Sequence, residues 1–315
     1  MNFPPYRHQC ENCGAPVEEV LCESCRNRQS GLFAVDNRPL PNNSILYVLT
    51  ILKSRLFWGL FVFATVPILL ADVHLNIVDG MMVYFSLFWF FIFQPLMASE
   101  FRFRSILLDI VAYIFTGTVG VLFALFVESF WISHGANLLL NSHILALSSI
   151  GYILFIGLTE EFAKQIFILL IFWFNRAKKK VWSPLSYMMV GISSGLGFSA
   201  VENISYVQHG ISFDVLYHGA GLGTITALTR ALYTPFLHAI WAGIVAYGLG
   251  VVAQRGYRDW HLAVGAYLVA AVFHGIYDAS LSYGDMSIID VALSYLVFLT
   301  LLLNGRRRRL AGPSS

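Results

Sequence analysis

Apolar runs of about 18–30 residues, separated by short polar segments, follow one another from residue 45 to residue 304. At about 1.5 Å per residue, such runs span the ~30 Å hydrocarbon core of a bilayer. They predict eight transmembrane helices, at 45–71, 81–99, 106–128, 144–174, 184–207, 219–252, 261–283 and 287–304. The fourth and sixth runs exceed a simple crossing, which predicts tilt, a kink or extension into a loop. Composition agrees: 57% of residues are hydrophobic and 12% charged, with mean hydropathy +0.67. A soluble domain carries roughly 25% charged residues. The expected fold class is an all-α polytopic membrane protein, a bundle of about eight transmembrane helices whose first partner is the lipid bilayer.

Charge then orients the bundle. The segments 99–105 (Arg102, Arg104), 175–183 (Arg176, Lys178, Lys179, Lys180), 253–260 (Arg255, Arg258) and 305–310 (Arg306 to Arg309) are basic. The alternate segments 72–80, 129–143, 208–218 and 284–286 contain no Lys or Arg. By the positive-inside rule this predicts a multi-pass protein of the cell membrane with both termini in the cytoplasm. The net charge of +2 is therefore a topology signal, and no nucleic-acid partner is expected. Residues 305–315 read as a basic cytoplasmic tail that stops transfer. The first 44 residues lack the apolar core of a signal peptide.

All four cysteines lie in that first stretch, as Cys10-x2-Cys13 and Cys22-x2-Cys25. Two such knuckles can supply the four thiolates of a tetrahedral zinc site. The alternatives are two disulfides, which a cytoplasmic location disfavours, or an iron–sulfur cluster. Residues 1–30 are thus expected to form a small N-terminal zinc-ribbon head around structural Zn2+. Four cysteine ligands leave no open position for catalysis, so the head would serve structure or bind a protein partner. Residues 31–44, with Pro39, Pro41, Asn42 and Asn43, read as a linker to the bundle at 45–304.

Ionisable residues inside the apolar runs change the picture most. They are Glu160-Glu161 with Lys164, Glu202 beside Asn203, His238, and His274 with Asp278. Each charge at mid-bilayer costs about 2.5–3.5 kcal/mol, so half a dozen unpaired ones would cost on the order of 15–20 kcal/mol. Pairing or a water-filled cavity is required. Counted from the cytoplasmic end of each span, Glu160, Glu202, His238 and His274 lie about 14, 18, 14 and 13 residues deep, within a slab roughly 8 Å thick. One shared polar site is expected. Glu160 and Lys164, four apart, share a helix face and would pair, leaving Glu161 available. Adjacent carboxylates in a dry site also suit proton transfer. Asp278 could hold the His274 imidazole in one tautomer or act as a ligand beside it.

Other residues read more plainly. Phe198, one turn before Glu202, and Gly191, Gly195 and Gly197 are expected to pack helices. Pro235 would break the backbone ladder three residues before His238. Arg230 would snorkel or pair with a loop acid as readily as bind an anion. Glu128, His134 and His143 fall at a span end and in a loop.

The ordered set Glu160-Glu161-x-x-Lys164, Phe198-x-x-x-Glu202-Asn203, His238 with Trp241 and Gly243, and His274-x-x-x-Asp278 resembles the PrsW family, part of the larger group of intramembrane peptidases that includes the CAAX prenyl endopeptidases. The CAAX branch carries a His where Glu202 stands, so the resemblance is to the PrsW branch. It implies hydrolysis of peptide bonds in membrane-anchored protein substrates, in regulatory cleavage. Glu160 or Glu161 would be the general base, and His238 and His274 would ligate a divalent metal, Zn2+ first, or bind the oxyanion. Glu202 and Asp278 would complete or orient that shell, with Lys164 and Asn203 in the same constellation. No His-Glu-x-x-His helix is present, so metal-dependent and metal-free, glutamic-type chemistry both stay open. Two other functions compete. A scaffold or immunity-type protein would need pairing alone, and an ion-coupled transporter commonly shows repeated halves, of which the sequence shows none.

Overall fold

The structure is a computed structural model that describes residues 8–9, 16–17, 77–97, 103–216, 226, 229–231, 233–282 and 288–311. A two-residue antiparallel ladder pairs β1 (His8–Gln9) with β2 (Pro16–Val17), His8 facing Val17 and Gln9 facing Pro16. All other regular structure among the described residues is helical. Cys10, Cys13, Cys22 and Cys25, the linker 31–44 and the expected first span 45–71 lie outside the described residues.

The helices are α1 (Ile77–Met97), α2 (Phe103–Phe115 and Val121–Ser133, joined by a π-helical turn at Thr116–Gly120) and the short α3 (Asn137–Leu140). Next comes α4, made of Leu145–Gly151 and Leu158–Ala177 joined by a π-helical turn at Tyr152–Gly157. Then follow α5 (Pro184–Leu216), α6 (Thr234–Gln254), α7 (Trp260–Ser282) and α8 (Ile288–Ala311). Five helices among the described residues are long and apolar enough to cross a membrane: Ile106–Ser133, Pro184–Ser212, Thr229–Gln254, Trp260–Leu281 and Ile288–Arg306. Asp79–Gln94 is a shorter apolar helix.

The fourth and sixth runs each carry an irregularity among the described residues. The fourth is accommodated by the π-helical turn inside α4, which inserts an extra residue per turn and rotates the face that follows. In the sixth, Pro235 sits in the first turn of α6, where its missing N–H costs no ladder bond. Helical residues 229–231 lie before it and Tyr233 is a turn, so Pro235 opens α6 where the ladder of the run is interrupted.

Helices α5 and α6 form the centre of the bundle, because small and apolar residues occupy every side of both. In each, 89% of the apolar window is buried, against 28% in α2 and α8 and 39% in α7. Between them pack Met188, Ile192, Leu196, Leu237, Ile240 and Trp241. In lipid such contacts stabilise through van der Waals packing, which close helix approach maximises. Gly191 faces Ala246 and the Ala242 carbonyl, Gly195 the His238 carbonyl, and Gly197 the Tyr113 carbonyl. The packing role expected for these three glycines is what the structure shows.

Hydroxyl-to-carbonyl bonds fasten α1 and α4 to this centre, and α7 to α4. Ser86 Oγ donates to Leu196 O at 2.6 Å, Ser194 Oγ to Lys164 O at 2.5 Å, and Tyr267 Oη to Leu158 O at 2.7 Å. Since Ser194 spends its proton on Lys164, the 2.7 Å contact with Thr116 Oγ1 has Thr116 as donor. Helices α4 and α7 meet at two glycines: Gly157 lies on the Ala271 carbonyl and Gly275 on the Ile153 backbone. That close crossing brings the segment after the π-helical turn, with its paired glutamates, against His274.

Candidate active site

The first turn after the π-helical segment of α4 carries Glu160 and Glu161, and Lys164 follows on the same side. All three are buried, Glu161 and Lys164 completely. Lys164 Nζ lies 2.7 Å from Glu161 Oε1 and 3.5 Å from Glu160 Oε2, and 4.7 Å from the Phe198 ring centre. The closer partner is thus Glu161, not the Glu160 expected from i,i+4 spacing. Glu160 is the carboxylate left less committed.

Helix α7 contributes His274 and Asp278. His274 Nδ1 is 3.0 Å from Glu161 Oε1, and its Nε2 is 3.3 Å from Asp278 Oδ2 and 3.5 Å from Glu160 Oε2. Glu161 Oε1, which also accepts from Lys164, makes Nδ1–H of His274 the donor in their contact. The ring is stacked on Trp241, 4.8 Å between centres at 24°, and Trp241 Nε1 donates to Ser294 Oγ on α8 at 3.0 Å. His238, in the second turn of α6, is 5.0 Å from His274 ring to ring and lies parallel to Phe198 at 5.9 Å.

Helix α5 supplies the last carboxylate. Glu202 Oε2 is 3.2 Å from His238 Nε2, while Glu202 Oε1 accepts from Arg230 Nη1 at 3.1 Å. Asn203 does not reach the histidines. Its Nδ2 donates to Ser199 Oγ at 2.9 Å and to the Arg230 carbonyl at 2.8 Å, and its Oδ1 faces Arg230 Nη1 at 3.4 Å. The structure therefore gathers Glu160, Glu161, Lys164, Glu202, His238, His274 and Asp278 into one buried cluster drawn from four helices, with Asn203 at its edge.

The model of the family described as "PrsW family intramembrane metalloprotease" matches residues 105–303. That is most of the chain and includes every residue of the cluster. The chain belongs to the PrsW family. No curated protein and no solved structure matches it. Membership in a membrane peptidase family and five membrane-length apolar helices together make this an integral membrane protein.

The donor set of this PrsW protein fits a divalent metal. One ligand atom each from Glu160, His238 and His274 lie within 4.8 Å of one another, all three residues buried. Tetrahedral ligands at ~2.0–2.1 Å from zinc stand ~3.4 Å apart, so side-chain shifts on the order of 1 Å would close the set around an ion. His238 Nδ1 and His274 Nε2 make no hydrogen bond among the described residues, although each histidine is only 1% exposed. Each also presents its other ring nitrogen to a carboxylate, as metal-ligating histidines do. Two histidines and one carboxylate leave a fourth position open. The group places Glu160 with the histidines where the sequence reading placed Glu202; Glu202 is turned toward Arg230 and the far nitrogen of His238.

Three features escaped the sequence reading. Arg230 is 6% exposed and paired inside the site, neither snorkelled nor bound to a loop acid. Its one signal was depth: an Arg two turns from His238 in an apolar run. Glu128, read as a span-end residue, lies on α2 with Oε1 buried and making no hydrogen bond among the described residues. Phe198 does pack, but against Lys164 and His238. His134 is exposed on its helix end and bonded to the Phe130 carbonyl at 2.8 Å, away from the cluster.

Proposed function

We propose that this PrsW protein is an intramembrane endopeptidase that hydrolyses peptide bonds of membrane-anchored protein substrates. The observation that carries the reading is the buried convergence of Glu160, His238 and His274, each histidine with one ring nitrogen that makes no hydrogen bond among the described residues. Glu160, His238 and His274 are assigned as the ligands. A divalent metal there, Zn2+ by the chemistry of the donors, would supply Lewis acidity that lowers the pKa of a water toward neutrality and polarises the scissile carbonyl.

The remaining groups have separable tasks. Glu161 is fully buried, neutralised by Lys164, and holds the Nδ1 proton of His274, so it orients that ring and leaves Nε2 free to ligate. Asp278 retains 14% side-chain exposure beside His274 Nε2. It is the carboxylate placed to take the proton of the attacking water and return it to the leaving amine. Trp241 and Phe198 wall the histidines with apolar rings, which keeps water from competing for the reacting centre.

The finer parts of the proposal rest on the sequence pattern. Regulatory cleavage of a membrane-anchored signalling protein is inferred from the family resemblance, and the Cys10, Cys13, Cys22, Cys25 zinc ribbon is proposed as a structural head that docks a protein partner. Cytoplasmic termini follow from the basic segments. In support, the basic ends of α4 and α6 are neighbours, with the Arg176 guanidinium 5.2 Å from the Tyr257 ring centre.

The test is a quantitative search for new peptide termini in membranes of cells expressing the wild type, Glu160→Gln or Glu161→Gln at matched abundance. Termini found only with the wild type, and lost on chelation and regained with Zn2+, are the expected result. Termini that survive chelation would replace the metal by carboxylate-activated water. Identical profiles for all three proteins would remove the peptidase reading.

A further inference from the structure

Arg230 is built into the protein more tightly than any role at a span end requires. Its guanidinium, 3.5 Å above the Tyr206 ring centre, donates to Glu202 Oε1 at 3.1 Å and faces Asn203 Oδ1 at 3.4 Å. Its own carbonyl is gripped by Asn203 Nδ2 at 2.8 Å. The side chain is thus fixed by contacts on three residues of α5, spaced so that Glu202, Asn203 and Tyr206 occupy adjoining positions over one helical turn. What this arrangement fixes in turn is Glu202. With Oε1 held by Arg230, the carboxylate can present only Oε2 to His238, 3.2 Å from Nε2.

We infer that Arg230, locked by Asn203 and Tyr206, is a positioning residue that turns Glu202 against His238 Nε2 and so sets the His238 tautomer with Nδ1 as the lone-pair nitrogen aimed at the reacting centre. The inference rests on the proposed role of His238 as a ligand. It gives Asn203 a task different from catalysis, as part of the clamp. His238 Nδ1 makes no hydrogen bond among the described residues, while Nε2 lies 3.2 Å from Glu202 Oε2, which likewise makes none there and so has only this imidazole to meet. Glu161 performs the matching task for His274 from α4, with the nitrogens reversed: there Nδ1 meets Glu161, and Nε2 faces Asp278 and Glu160 without a hydrogen bond. Each histidine therefore has a carboxylate behind it and a fixed cation behind the carboxylate, Lys164 for one and Arg230 for the other. The guanidinium suits its place because it is planar, always charged and able to stack on an aromatic face, which an ammonium does poorly.

The experiment uses the full chain in nanodiscs with 15N-labelled histidine, the His238 resonances being identified by their loss in His238→Gln. In the wild type, His238 is expected as a single tautomer protonated at Nε2. In Arg230→Gln, and in the charge-neutral double variant Arg230→Gln with Glu202→Gln, it is expected to become a mixture. Arg230→Lys should restore the wild-type tautomer in part. In parallel, Zn2+ affinity is measured by competition with a chromophoric chelator. Both Arg230→Gln and the double variant should bind about 10–100-fold more weakly, the usual cost of losing an outer carboxylate partner. The double variant should lose no more than Glu202→Gln alone, because Arg230 acts through Glu202. An unchanged His238 tautomer in Arg230→Gln overturns the inference, as do additive losses in the double variant. A wild type that shows the fixed tautomer but binds no Zn2+ removes the metal reading and leaves the clamp standing. A lowered unfolding temperature with tautomer and affinity intact assigns Arg230 to stability alone, which also overturns it.

Discussion

Lys164 shows how much one side chain carries at this site. It is fully buried among carboxylates and supplies the positive charge nearest to both Glu160 and Glu161. Removing one partner of a buried pair leaves the other's charge uncompensated and typically costs 3–5 kcal/mol, whereas removing both is often near neutral. Lys164→Met should therefore destabilise the protein by about 3–5 kcal/mol in chemical unfolding in mixed micelles. Lys164→Met combined with Glu161→Gln should recover much of that stability while activity stays lost. Equal unfolding curves for Lys164→Met and wild type would sink this account of the pair. Spacing in the sequence showed that Lys164 and the glutamates share a face, but not which glutamate it meets. Both i,i+3 and i,i+4 partners are within reach on a helix. The choice of Glu161 follows from where His274 and Phe198 approach from other helices.

At the scale of elements, the crossing of α4 and α7 decides whether the glutamates meet His274. A Cβ at Gly275 would collide with the Ile153 backbone, and one at Gly157 with the Ala271 carbonyl. Gly265, on the same helix α7, has nothing within 4 Å of its would-be Cβ. Gly275→Ala should lower the unfolding temperature and abolish cleavage, because α7 must move away from α4. Gly265→Ala should raise stability by about 0.5–1 kcal/mol, the cost of glycine in a helix interior. Thermal unfolding of the two variants side by side checks both; equal shifts would refute the close crossing. The over-long fourth run pointed to an irregularity without locating it. A π-helical turn has no strong local signature, and Tyr152–Gly157 adopts one where Gly275 and Ile153 set the spacing between helices.

For the whole molecule, alternation of basic and uncharged segments predicts both termini on the cytoplasmic side. A fluorescent protein fused after Ser315 should fold and fluoresce, while alkaline phosphatase at the same point should be inactive; the reverse pattern would invert the bundle. Deletion of residues 1–44 should leave the bundle folded in detergent and its hydrolysis intact, since the family match begins only at residue 105. Loss of both would show that the head is no separate module. The helical class, the membrane setting and the convergence of most of the cluster's ionisable residues were legible in the sequence, because apolar run length and buried charge are penalised by the bilayer itself, whatever the fold. The pairing inside the cluster was not legible. Which oxygen meets which nitrogen depends on helix rotation, on the π-helical turn in α4 and on glycine crossings between segments more than 100 residues apart, as between Glu161 and His274. Arg230 shows the division most plainly. Its sequence position marked it as expensive in a membrane, and only the tertiary structure, by setting Glu202, Asn203 and Tyr206 around it, turned that cost into a fixed charge behind His238.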